Sequence, residues 1–155
     1  MKIEKVEIIE IEDIKVEAPS KVFFNPSIGI KVERDTLLDI YKIELNTDFT
    51  RIDFIYQAPD KYMNGGWIEM DPNSFIRPAS SSTIYKMVKA INISIAPIKT
   101  YFKKSGQIHV FTLIFPPLPS DVTVIDIIEK EGLGTYFNFY NVQLEKNATT
   151  IIHVN

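Results

Sequence analysis

The stretch FTLIFPPLPSDVTVIDIIE, residues 111–129, decides the reading of the fold. Two runs rich in β-branched and aromatic side chains flank Pro116, Pro117 and Pro119. Proline has no N–H to give to a ladder and is confined to edges, first positions and bulges. A central strand must therefore end at Phe115, and the chain must cross to the next strand, with Pro119-Ser120-Asp121 as the turn. The run after the crossing closes on carboxylates. Asp126 and Glu129 lie three apart, so in a regular strand they point to opposite faces and cannot flank one scissile bond. Glu129 and Glu131 share parity where the strand gives way to EGLG, and the expectation there is a solvated strand end. The passage reads as architecture.

Outward from it, the chain is punctuated in the same way. Candidate strands are KVEIIEIE, SIGIKVE, DIYKIELN, TRIDFIYQ, GWIEMD, YKMVKAINIS, QIHVFTLIF, VTVIDIIE, TYFNFYNVQL and TTIIHV. Turn formers such as Asn64-Gly65-Gly66, Asp71-Pro72-Asn73 and Ser105-Gly106 separate them. Many short strands with such breaks indicate an antiparallel sandwich or barrel. In TRIDFIYQ, Ile52, Phe54 and Tyr56 share the face expected to meet the core, with Arg51, Asp53, Ile55 and Gln57 on the other. No repeat or linker divides the 155 residues, so one domain over 1–155 is expected.

Composition narrows function by exclusion. At this length folding buries roughly 68–70% of the chain's surface, enough for a core without disulfides or metal. There is no cysteine, which removes thiol catalysis and Cys-ligated zinc. The net charge of −3 lacks the footprint of a nucleic-acid binder, and Lys103-Lys104 is too small a basic cluster to change that. No segment approaches the roughly 20 apolar residues that span a bilayer, so membrane insertion is not expected. The start, MKIEKVEIIEIED, has no secretory apolar core.

The order of several motifs resembles a known family. FTLIFPPLPSDVTVIDIIE followed by YFNFYNVQL is similar to the immunoglobulin-like domain of Bacteroides-type envelope proteins, often found ahead of a thioredoxin-like domain. TRIDFIYQAP, GGWIEMDPNSFI and TIYKMVKAINI fall where that family has its earlier strands, so the resemblance spans roughly residues 28–144. It implies an immunoglobulin-like sandwich of two antiparallel sheets and an envelope setting. The compartment is then periplasmic or extracellular if Met1 stands in place of a removed leader, and cytoplasmic if the chain is native as given. It brings no catalytic residue, and the oxidoreductase role of the larger relatives is not expected here, as there is no cysteine to carry it. Asn92 and Asn141 stand where the family has glycine. Asn tolerates positive φ, and a parity shift between Phe139 and Val142 predicts a β-bulge with Asn141 left-handed.

Residue by residue, little chemistry stands out. His109 and His153 read as sheet or surface histidines. Asp71 and Asn73 suggest calcium only weakly, because the EF-hand continuation is missing, and a turn explains DPNSF better. No cofactor or metal is expected. The aromatic residues are the best lead. The single Trp67 is expected in the core, as in immunoglobulin-like domains. Tyr62, Tyr101 and Phe102 are hard to bury from loop positions, and with Trp67 they are the candidate contact residues. The leading functional expectation is a non-catalytic binding or assembly module of the bacterial envelope, engaging a protein partner through loops or an open strand edge. The alternative is a carbohydrate-binding module stacking sugars on loop aromatics. A third class, a hydrolase, needs a carboxylate or histidine in a deep pocket with a shifted pKa.

Overall fold

The computed structural model describes residues 20–32, 37–132, 136–144 and 148–151. Two antiparallel sheets pack face to face as a β-sandwich, with no α-helix among the described residues. The first sheet contains β1 (Ser20–Phe24), β3 (Leu38–Leu45), β4 (Thr50–Gln57), β8 (Lys89–Ile91), β10 (Ile108–Phe115) and β13 (Ala148–Ile151), in the order β13-β1-β3-β4-β10-β8. The second contains β2 (Ile28–Val32), β6 (Phe75–Pro78), β7 (Tyr85–Lys86), β11 (Val124–Ile128) and β12 (Asn138–Gln143), in the order β2-β12-β11-β6-β7. A two-stranded ribbon, β5 (Trp67–Ile68) with β9 (Thr100–Tyr101), stands apart from both.

The alternation in TRIDFIYQ has the expected consequence. Ile52, Phe54 and Tyr56 are buried, paired across the ladder with Leu113, Phe111 and His109 of β10. The Phe54 ring stacks on Phe111 at 5.0 Å and reaches Phe139 of the opposite sheet at 6.1 Å. Each such side chain contributes about 1.5–3 kcal/mol by leaving water. Ile76, Ile125, Ile127 and Val142 complete the core from the second sheet. On the outer face of β4, Asp53 is also buried, beneath Lys42, Arg51 and Thr112.

β10 ends at Phe115, and residues 116–123 cross between the sheets with the Val122 N–H on the Pro119 carbonyl at 3.2 Å. The bulge expected near Asn141 is present. Pairing of β11 with β12 shifts between Ile125 and Ile127, and Asn141 has φ 56°. Asp126 clamps it: one carboxylate oxygen accepts the Asn141 N–H at 2.9 Å, and the other accepts Arg77 Nε at 3.0 Å. The amide a bulge leaves without a ladder partner is thus satisfied by a side chain. Gly29 lies opposite, where a Cβ would stand 2.8 Å from that of Asn141. Asn92 is left-handed as well, at φ 63°.

Several expected strands differ. YKMVKAINIS is not one strand but two in different sheets, because successive amides choose opposite partners. Met87 N–H binds the Ser74 carbonyl at 2.8 Å and Val88 N–H binds that of Ile114 at 2.7 Å, carrying the chain across. GWIEMD contributes only the two residues of β5. β1, β6 and β9 were not anticipated; SKVFF, FIRP and the two residues of β9 are too short for a periodicity to declare them. KVEIIEIE and His153 lie outside the described residues.

Candidate functional site

At the sandwich end opposite the proline crossing, β4, β10, β11 and β12 release three chain segments, residues 58–74, 92–107 and, of the third, the described residues 129–132 and 136–137. They enclose a cleft of about 890 Å³. All four residues singled out from sequence line it: Tyr62, Trp67, Tyr101 and Phe102. Tyr56, Met63, Ile68, Tyr136 and Phe137 contribute further apolar surface, while Glu69, Asp71 and Glu129 supply carboxylates.

A pair of glycines shapes this end. Gly65 and Gly66 adopt φ 88° and 73°, a region that costs other residues strain. A Cβ on Gly65 would approach Ala58 Cβ to 2.7 Å and the Lys104 carbonyl to 2.9 Å. One on Gly66 would meet the Tyr62 side chain at 3.2 Å, so the tyrosine lies directly against the bare backbone. The Gly66 carbonyl then accepts the Phe102 N–H at 3.0 Å, which sets the ribbon of β5 and β9. In that ribbon Trp67 is directly opposite Tyr101, so the two rings share a face.

Exposure corrects two expectations. Trp67 is 46% exposed rather than core, because its ribbon lies outside the sandwich sheets. Phe102 is only 5% exposed, since β9 turns its next residue inward onto Tyr56. Their rings stack at 5.7 Å, with His109 edge-on at 5.7 Å. Phe102 is therefore floor, whereas Trp67, Tyr62 and Tyr101, the last 69% exposed, form the rim. His109 is a sheet histidine whose Nε2 donates to the Asn92 carbonyl at 2.6 Å.

Glu129 is the third correction. It is not a solvated strand end but 7% exposed, and it joins two of the loops. Its Oε2 accepts the Asp71 N–H and its Oε1 the Phe137 N–H, both at 3.0 Å. Asn138 secures the same turn by accepting the Glu129 N–H at 3.0 Å and donating to the Lys130 carbonyl at 3.0 Å. Burial pushes the Glu129 carboxyl from 4.5 up to about 7, with Asp71 and Glu69 adding to the rise and the two main-chain N–H bonds opposing it. Its burial and shift are those the hydrolase class requires, yet both oxygens are engaged in holding loops. The DPNSF segment is a turn, with the Asn73 N–H on Asp71 Oδ1 at 2.8 Å and the Ser74 N–H on the Asp71 carbonyl at 3.2 Å.

Among the described residues no group of three or more His, Asp or Glu is arranged to hold a metal ion. No helix among them is long and apolar enough to cross a membrane. Sequence reasoning missed Tyr136, Phe137, Glu69 and Glu129 as cleft residues. Nothing in their local pattern separates them from ordinary strand-end positions. Comparisons with protein-family models, with curated proteins and with solved structures give no match.

Proposed function

We propose that this chain is a non-catalytic binding module whose working surface is the loop cleft, and that its ligand is a carbohydrate. The observation that carries this reading is the cross-strand pair Trp67–Tyr101, two exposed rings on one face above a concave, aromatic-floored cleft. Flat aromatic surfaces stack on the apolar faces of sugar rings, while a few convergent polar groups fix hydroxyls. Glu69, which also pairs with Lys99 at 3.8 Å, and Asp71, one of whose oxygens accepts the Asn73 N–H at 2.8 Å, contribute carboxylates to the cleft lining. Glu129, with both oxygens committed to main-chain donors, supports a role in holding the loops rather than in catalysis. The test is a glycan array probed with the wild type and with Trp67→Ala/Tyr101→Ala. The wild type is expected to bind a restricted set of glycans, and the variant to lose the signal while melting like the wild type. An empty array overturns the reading.

A second reading, engagement of a protein partner by strand addition, is favoured by the sheet edges. β2 and β8 each pair on one side only among the described residues, and Ile30 of β2 is 55% exposed. The likeness of the motif order to envelope immunoglobulin-like domains supports an envelope setting for either reading. In-cell crosslinking with envelope and cytosol analysed separately tests both partner and compartment; a purely cytosolic protein contradicts the setting.

A further inference from the structure

We infer that the ribbon at the cleft rim docks on the surface of an anionic lipid bilayer, an interaction that does not depend on the carbohydrate reading. The three most exposed large apolar side chains among the described residues stand on this ribbon or beside it: Met63, 89% exposed, with Ile98 and Tyr101, each at 69%. Met63 belongs to the turn that leads into β5, where its carbonyl accepts the Gly66 N–H at 3.1 Å. Ile98 belongs to the turn that leads into β9, its N–H on the Ile95 carbonyl at 3.0 Å. Because β5 and β9 are antiparallel, the two turns lie at opposite ends of the ribbon, with Trp67 and Tyr101 between them.

Residues 61–68 and 98–104, which form the ribbon and its flanks, include Lys61, Lys99, Lys103 and Lys104 and no carboxylate. Lys103 and Lys104 are exposed, and neither forms an ion pair with a described residue. Of the carboxylates nearby, Asp60 is exposed, Glu69 pairs with Lys99 at 3.8 Å, and Glu131 lies 3.4 Å from Arg77. Asp71 and Glu129 are drawn back into the cleft wall. Met63 and Ile98 lack the flat face that stacks on a sugar, and the two free lysines call for an anion. An anionic leaflet supplies both in layers, acyl chains for the tips and phosphate-bearing headgroups for the ammonium groups, which extend on apolar stems. Tyrosine and tryptophan rings are enriched at the headgroup level between those layers. A second copy of the chain is the poorer occupant, because a twofold contact through this ribbon sets lysine against lysine. Docking of this kind needs no spanning segment.

The test is co-sedimentation of the full chain with vesicles of phosphatidylcholine alone and of phosphatidylcholine mixed with phosphatidylglycerol. Neither vesicle carries a sugar, so the outcome is separate from that of the glycan array. The chain is expected to sediment with the mixed vesicles and to stay in solution with the neutral ones. Met63→Ser with Ile98→Ser, and separately Lys103→Gln with Lys104→Gln, should each weaken that binding about tenfold while melting like the wild type. Val88→Ser removes a side chain of similar exposure beside Ile114, at the proline-crossing end, and should change nothing. Failure to sediment with the mixed vesicles, equal binding to both kinds, or wild-type binding by either double variant overturns the inference. Self-association in analytical ultracentrifugation that both double variants abolish, with no vesicle binding, gives the surface to a second copy instead.

Discussion

Glu129 makes the sharpest energetic statement in the structure. Its carboxyl titrates near 7 when folded and near 4.5 as an ordinary glutamate, so the folded state holds this proton more tightly than the unfolded chain. That stabilisation is complete below the unfolded pKa and is lost as pH rises through the folded one. At about 1.4 kcal/mol per tenfold, the rise corresponds to about 3 kcal/mol, of which roughly 2.5 kcal/mol disappears between about pH 5 and pH 8. Glu129→Gln cannot ionise. It keeps one acceptor oxygen and leaves one main-chain N–H facing an amide NH2, a loss of about 1–3 kcal/mol. The variant should therefore be less stable than the wild type at the acidic end, and the difference should shrink or reverse at the alkaline end. Urea unfolding of both proteins at the two pH values measures this directly. A stability difference that does not change with pH would refute the burial argument for this group.

Other perturbations separate scaffold from surface. Asp126→Ala frees the bulge amide and leaves Arg77 only its longer ionic contact with Glu131, at 3.4 Å, so urea unfolding should register a loss of about 1–3 kcal/mol. Gly65→Ala forces a Cβ against Ala58 and Lys104 at φ 88°, so a loss of about 1–3 kcal/mol is expected, together with a weakened glycan-array signal. Phe102→Ala removes a buried ring from the cleft floor and should lower stability by about 3–5 kcal/mol in chemical unfolding. Tyr62→Ala with Tyr101→Ala should leave the melting temperature nearly unchanged in calorimetry, because both rings are at the rim; a large drop would place them in the core.

What the sequence made legible follows from local rules. Three prolines ended β10 and forced the crossing, and the parity break around Asn141 announced a bulge, because both effects act within a few residues. The four aromatics were picked out by type and loop position, and the structure gathers all four in one cleft. Their burial was not legible. Trp67 escapes the core because Gly65 and Gly66 divert it into a ribbon outside the two sheets, and Phe102 enters because β9 pairs with that ribbon. Both outcomes depend on a partner strand more than thirty residues away in sequence. Glu129 was misread for a similar reason. A glutamate at a strand end is ordinarily solvated, and only the approach of the Asp71 turn and the Phe137 backbone covers it. The crossing of residues 85–91 between sheets also rests on non-local partners, Ser74 and Ile114.

The most direct test of the cleft as the binding surface is an NMR titration of the isotope-labelled chain with the tightest glycan from the array. Amide shifts concentrated at Tyr62, Gly66, Trp67, Asp71, Tyr101 and Phe137 are expected, with β2 and β8 unmoved. Shifts running along the β2 or β8 edge with the cleft silent would contradict the assignment and return the binding function to the strand edges.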